Sequence, residues 1–229
     1  MQFCASCGDP TSEQPCTSCG ADPSLDGRYA LRELLGQGSH GMTWRADGPS
    51  GVVAVKVINL GHGLQGDAQR ALDREVAVLR QLSHPQIPAL LDDFSTRSGM
   101  TRYRCIVQEF VDGSHLLDEL DMARHTPAQV MEVVARVADI LTHLHGKTPP
   151  IIHRDIKPQN IIRRHDGSLT LIDFGSVRDT LVGTLGGTMS VGTVGYMAPE
   201  QITGDVQPAS DIFALGALAV SYTHLRAHE

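Results

Sequence analysis

Cys4, Cys7, Cys16 and Cys19 fall at C-x2-C-x8-C-x2-C spacing in a stretch, Met1 to Gly27, that is rich in Cys, Gly, Pro, Ser and Asp. The stretch has almost no apolar periodicity, so it cannot order itself by burying a core and something must staple it. Gly8 and Gly20 directly follow the two pairs, where a tight knuckle is helped by a residue that tolerates positive φ. Two such knuckles supply four thiolates, the ligand set of a tetrahedral structural zinc whose binding provides folding energy. A redox dithiol or a fortuitous set of cysteines are the alternatives, whereas a catalytic zinc does not fit because four cysteines close the coordination sphere. The stretch holds four acids and no Lys or Arg, and the whole chain has a formal charge of -7, so the expectation is no nucleic-acid partner.

From Tyr29 onward the pattern changes. Segments 29–36, 42–46 and 52–58 read as short strands divided by glycine turns, the antiparallel start of a new domain. A helix is predicted from Asp67, as its cap, to about Leu82, with Leu72, Leu79, Leu82 and the acid Glu75 on one face. Strands follow over 88–94 and 102–110, where Cys105 reads as a small core residue. A second helix is predicted from Pro127 to about His145, capped by Thr126, with Val130, Val134, Val137, Leu141 and Leu144 as its apolar stripe. Another begins near Ala209. Strands first and helices later predict an α+β fold with a sheet-rich and a helix-rich lobe. No apolar run is long enough to span a bilayer, and MQFCASCGD lacks the basic start and apolar stretch of a signal peptide, so a reducing cytoplasm is expected.

Gly36, Gly38 and Gly41 form a G-x-G-x-x-G, which alone is equally a dinucleotide-binding turn. Such a turn opens a helix; here another strand follows, which makes a glycine hairpin folding over phosphates. Fifteen residues past Gly41, Val53-Ala54-Val55-Lys56 resembles the protein-kinase strand that presents a phosphate-binding lysine. A carboxylate on a buried stripe needs a cation to offset its desolvation, and Lys56 is the expected partner of Glu75.

The closest resemblance lies in His153-Arg154-Asp155-Ile156-Lys157-Pro158-Gln159-Asn160, followed thirteen residues later by Asp173-Phe174-Gly175. With these motifs the chain resembles the bacterial, eukaryotic-like protein Ser/Thr kinases. The resemblance implies a bilobal kinase fold with an incomplete helical C-lobe, preceded by a zinc-ribbon-like knot. The expected divisions are 1–27 for the Cys4 segment, 28–111 for the N-lobe, 112–220 for the partial C-lobe and 221–229 for a non-native tail. It also implies ATP and Mg2+ as cofactors and protein Ser/Thr hydroxyls as substrate. Asp155 then orients the substrate hydroxyl and accepts its proton, Asn160 and Asp173 hold magnesium, and Lys157 neutralises the transferred phosphoryl group. The hinge on adenine is Glu109 to Val111, with Gln108 as gatekeeper, while Ala54 and Thr43 lie against the base; Thr43 stands where the family usually has Val.

Gly192 to Glu200 resembles the end of an activation segment, with Thr193 facing the substrate hydroxyl, and Asp211 resembles the acid that braces the catalytic loop. The resemblance makes Arg154 the partner of an activation-segment phosphate, with Thr188 favoured over Thr180, Thr184 and Ser190 and a dimer expected for autophosphorylation. The string Ser221 to Glu229 resembles translated adaptor sequence, so a fragment lacking later helices is expected to fold poorly and to leave Glu200 without its family arginine.

Overall fold

Val53, Val55 and Val57 are buried while Ala54 and Lys56 between them are half-buried, the alternation of a strand with one face on a core. The computed structural model describes residues 1–38, 41–60, 66–98, 101–122, 125–179, 193 and 195–224. It divides into two units, Met1–Val76 with Ala89–Phe110, and Ala77–Pro88 with Val111–Glu229.

The first unit is built on strands β1 (Gln2–Phe3), β2 (Pro10–Thr11), β3 (Ala30–Gly38), β4 (Gly41–Gly48) and β5 (Gly51–Asn59), followed by helix α1 (Gly66–Gln81), β6 (Leu90–Ser98) and β7 (Thr101–Glu109). The strands make one seven-stranded antiparallel sheet in the order β2-β1-β3-β4-β5-β7-β6. Its core gathers Leu31, Trp44, Ala46, Val55, Cys105 and Val107. The Cys-rich segment joins this sheet: Phe3 pairs with Leu31 on β3, and its ring lies 5.2 Å from that of Trp44. Leu25 and Tyr29, which close the segment, are buried in the same core. Cys105 is a buried thiol, pushed up to about 12 chiefly by desolvation.

In the second unit the elements are β8 (Ser114–His115), α2 (Leu116–Met122), α3 (Pro127–His145), β9 (Ile151–Ile152), β10 (Ile161–Arg163), β11 (Leu169–Leu171), β12 (Arg178–Asp179), α4 (Pro199–Thr203) and α5 (Pro208–His224). Helix α3 has the predicted bounds because its start is chemically marked. Thr126 Oγ1 accepts from the Gln129 backbone N–H (3.3 Å), and Gln129 Oε1 accepts from that of Thr126 (2.8 Å), a reciprocal cap reinforced by Pro127 in the first turn. Its buried stripe is Val130, Val133, Val137, Ile140, Leu141 and Leu144. Val134 is only half-buried, because the buried face runs through Val133, Val137 and Ile140 and leaves Val134 at its edge.

Asp67 lies within α1 rather than ahead of it, because the helix begins at Gly66. Ser221 to His224 continue α5. Tyr222 is buried, donates its hydroxyl to Leu116 O (3.2 Å), and has its phenol pKa raised by that burial. Among the described residues, no helix is long and apolar enough to cross a membrane.

Candidate active site

The four cysteine sulfurs lie within 4.8 Å of one another, with Cys4–Cys19 at 3.7 Å and Cys7–Cys16 at 3.8 Å. Thiolates about 2.3 Å from a tetrahedral ion stand about 3.8 Å apart, so the donor set fits such a metal. Both knuckles use the same hydrogen bonds, all at 2.8 Å: Gly8 N to Cys4 O and Cys4 N to Asp9 O, then Gly20 N to Cys16 O and Cys16 N to Ala21 O. Gly8 and Gly20 have φ of +80° and +72°. The Cys16 thiol is held down to about 7, chiefly by the Cys19 backbone N–H, whereas burial raises the Cys4 thiol and, against the lowering Asp9 backbone N–H, desolvation and the neighbouring thiols push Cys7 up to about 12.

In the same unit the glycine motif forms the β3–β4 hairpin, with Gly36 opposite Thr43 and Gly38 opposite Gly41. Gly41 has φ +150°, and a Cβ there would stand 2.3 Å from Val57 O, so only glycine fits. Thr43 lies across from Lys56, and Ala54 across from Gln108. Lys56 Nζ donates to Glu75 Oε1 at 2.8 Å; their side chains are 16% and 4% exposed. Gln108 Nε2 is buried with no hydrogen-bond partner among the described residues. Glu109 donates its backbone N–H to Ala89 O (2.9 Å), and the chain leaves this unit between Phe110 and Val111.

The second unit carries the Asp155 loop between β9 and β10. Asp155 Oδ1 accepts from the Thr193 hydroxyl (2.9 Å), and Oδ2 accepts from Asn160 Nδ2 (2.9 Å) and meets Lys157 Nζ (2.7 Å). Lys157 also donates to Thr193 Oγ1 (2.8 Å), so one alcohol is held between the ammonium and the carboxylate. Asn160 Nδ2 donates further to Asp155 O (2.8 Å), and Ile172 N donates to Asn160 O (2.8 Å), which holds the Asp173 segment beside the loop. Asp173 is exposed, at φ +63°, and its Oδ1 accepts from Gly175 N (3.2 Å).

Asp211, at the start of α5, braces the loop: Oδ1 accepts from Arg154 N (2.8 Å) and Oδ2 from His153 N and His145 Nε2, both at 2.9 Å. Arg154 has φ +70°, and its Nη1 donates to Ser176 O (3.4 Å). Thr188, Thr180, Thr184 and Ser190 lie outside the described residues.

Two groups here escaped the sequence reading. Ser210 donates to Glu200 Oε1 (2.6 Å) and thereby lowers that carboxyl's pKa, so Glu200 has a partner without the family arginine. Gln201 is buried against the loop.

The chain belongs to the protein kinase family: the protein kinase domain profile matches residues 29–226. Its α+β fold, with an antiparallel sheet preceded by a cysteine cluster, is the one the motifs implied. The chain is 33% identical to serine/threonine-protein kinase B of Synechocystis sp., over 94% of this chain and 41% of that protein. It is 35% identical to serine/threonine-protein kinase F of the same organism, over 87% of the chain and 44% of the relative. It is also 35% identical to serine/threonine-protein kinase PknA of Nostoc sp., over 86% and 37%. The chain thus spans less than half the length of these curated relatives.

Replacing Glu75 by Ala takes from Lys56 a carboxylate that is almost wholly buried. The expected loss of stability in urea denaturation is about 1–3 kcal/mol, below the roughly 3–5 of a fully buried pair because the ammonium keeps some exposure. The double change Lys56→Met, Glu75→Leu should recover most of it, and a loss under about 0.5 kcal/mol in the single variant would show that the pair does not stabilise the fold.

Proposed function

We propose that the chain is a protein serine/threonine kinase domain that moves the γ-phosphoryl group of ATP to Ser and Thr hydroxyls of protein substrates. The observation that carries this reading is an alcohol, that of Thr193, gripped between the Asp155 carboxylate and the Lys157 ammonium. A carboxylate that accepts from an alcohol is placed to orient a substrate hydroxyl and take its proton as phosphate transfers. The cation beside it offsets the negative charge that develops.

The other residues fit the nucleotide by their chemistry. Lys56, aimed by Glu75, suits phosphate oxygens, and the Gly36–Gly41 hairpin suits close backbone approach to them. Gln108 Nε2 supplies a buried donor for a base, with Thr43 and Ala54 as the apolar bed and Glu109 and Val111 as backbone partners. Asn160 and Asp173 offer hard oxygen atoms for Mg2+: with its nitrogen on Asp155, the Asn160 amide has its oxygen free to face elsewhere. Magnesium supplies charge neutralisation on the phosphates.

The names of the relatives support Ser/Thr as acceptors. Arg154 is the group to receive an activating phosphate on Thr188, placed there by autophosphorylation between two copies. The Cys4 cluster is assigned to structural zinc, and cysteines arranged for a metal rather than for disulfides suit a reducing cytoplasm.

With ATP, Mg2+ and a protein substrate, Asp155→Asn and Lys56→Met should each lower phosphate transfer by at least about 100-fold; Asp155→Asn should leave the melting temperature near the wild-type value, whereas Lys56→Met strands the buried Glu75 carboxylate and should lower it. Transfer retained within a few-fold in either variant would contradict the site assignment. Metal analysis should return one zinc per chain; Cys16→Ser should abolish it, and a strong chelator should lower the melting temperature. A chain that is metal-free after purification in zinc-containing buffer, and indifferent to chelator, would favour the dithiol reading.

A further inference from the structure

The Gln201 side chain is 2% exposed and spends both ends of its amide on backbone. Its Oε1 accepts from Ala198 N at 3.1 Å, and its Nε2 donates to Arg154 O at 3.0 Å. The second contact matters because of where it falls. Arg154 is a non-glycine residue at φ +70°, a conformation that costs on the order of 1–3 kcal/mol and persists only when its surroundings over-determine it. Asp211 holds the amide side of that residue through Arg154 N, and Gln201 holds the carbonyl side. The Arg154 carbonyl shares one rigid peptide plane with the Asp155 N–H and Cα, so fixing that oxygen fixes the point from which the Asp155 side chain departs.

The contacts close into a ring. Asp155 Oδ1 accepts from the Thr193 hydroxyl (2.9 Å). Thr193 O accepts from Tyr196 N and Met197 N (3.0 and 3.2 Å), and Ala198 N reaches Gln201, which returns to Arg154 O. The residue type is demanding. One side chain must accept from an N–H and donate to a C=O from a buried position, and an amide does both. Ionised Glu keeps the shape but only accepts, and Met keeps the length but does neither.

We propose that Gln201 is a positioning residue for Asp155, tying the orientation of the catalytic carboxylate to the seating of residues 193–201. The proposal rests on the kinase reading. Gln201 touches no substrate; it acts through the Arg154–Asp155 peptide.

The test compares Gln201→Met and Gln201→Glu with wild type in the full chain, using steady-state phosphate transfer, melting and amide hydrogen exchange. Both variants should lose about 10- to 100-fold in kcat, the range expected for a misplaced reacting group, with the KM for ATP within about twofold of wild type. Exchange at the Asp155 and Ile156 amides should quicken at least tenfold relative to global unfolding. Wild-type kcat in Gln201→Glu would mean that only the Ala198 contact matters, which overturns the proposal; so would unchanged exchange in both variants. Two unfolded variants would make Gln201 a core residue and also overturn it. If wild type transfers no phosphate, the kinase reading fails on its own, while the exchange comparison still decides whether Gln201 holds the loop.

Discussion

The carboxylate of Asp211, 0% exposed, accepts from two successive backbone N–H groups and one imidazole, and the loop from His153 to Asn160 takes its shape from that cluster. A buried carboxylate is tolerated only where charge-assisted hydrogen bonds offset its desolvation, and three donors do so here. The exchange works in both directions. Asp211 is stabilised by the His153 and Arg154 amides, and the positive φ of Arg154 persists because Asp211 and Gln201 grip both sides of that residue. Asp155 then emerges within reach of Lys157, Asn160 and Thr193.

The first unit solves a different problem. Its glycine hairpin is poor in side chains and depends on the sheet behind it. The cysteine segment extends that sheet by β1 and β2 and adds Phe3, Leu25 and Tyr29 to its core or flank. Whatever holds the four sulfurs together therefore also holds an edge of the sheet that carries Lys56. The ammonium itself is aimed by Glu75, nineteen residues along the chain and on a helix.

Much of this was legible in the sequence. Helix α3 was, because Thr126, Pro127 and Gln129 mark its start within four residues; the Lys56–Glu75 pair was, because a carboxylate among leucines requires a cation. The glycine hairpin was told from a helix-opening turn by the strand that follows Gly41. Val133 and Ile140 were missed because a single heptad seam understates the face that a helix buries between neighbours. Gln201 and Ser210 were missed for another reason. The partners of Gln201 are backbone atoms of Ala198 and Arg154, which leave no mark in a residue string, and the Ser210–Glu200 contact depends on how α4 and α5 meet.

The central claim is that a buried clamp on the backbone of His153 and Arg154 sets the geometry of Asp155, and native-state hydrogen exchange at those two amides tests it most directly. The account predicts that both exchange only through global unfolding in the wild-type chain and lose that protection selectively in Asp211→Ala. Rapid exchange of either amide in the folded wild-type protein would contradict it.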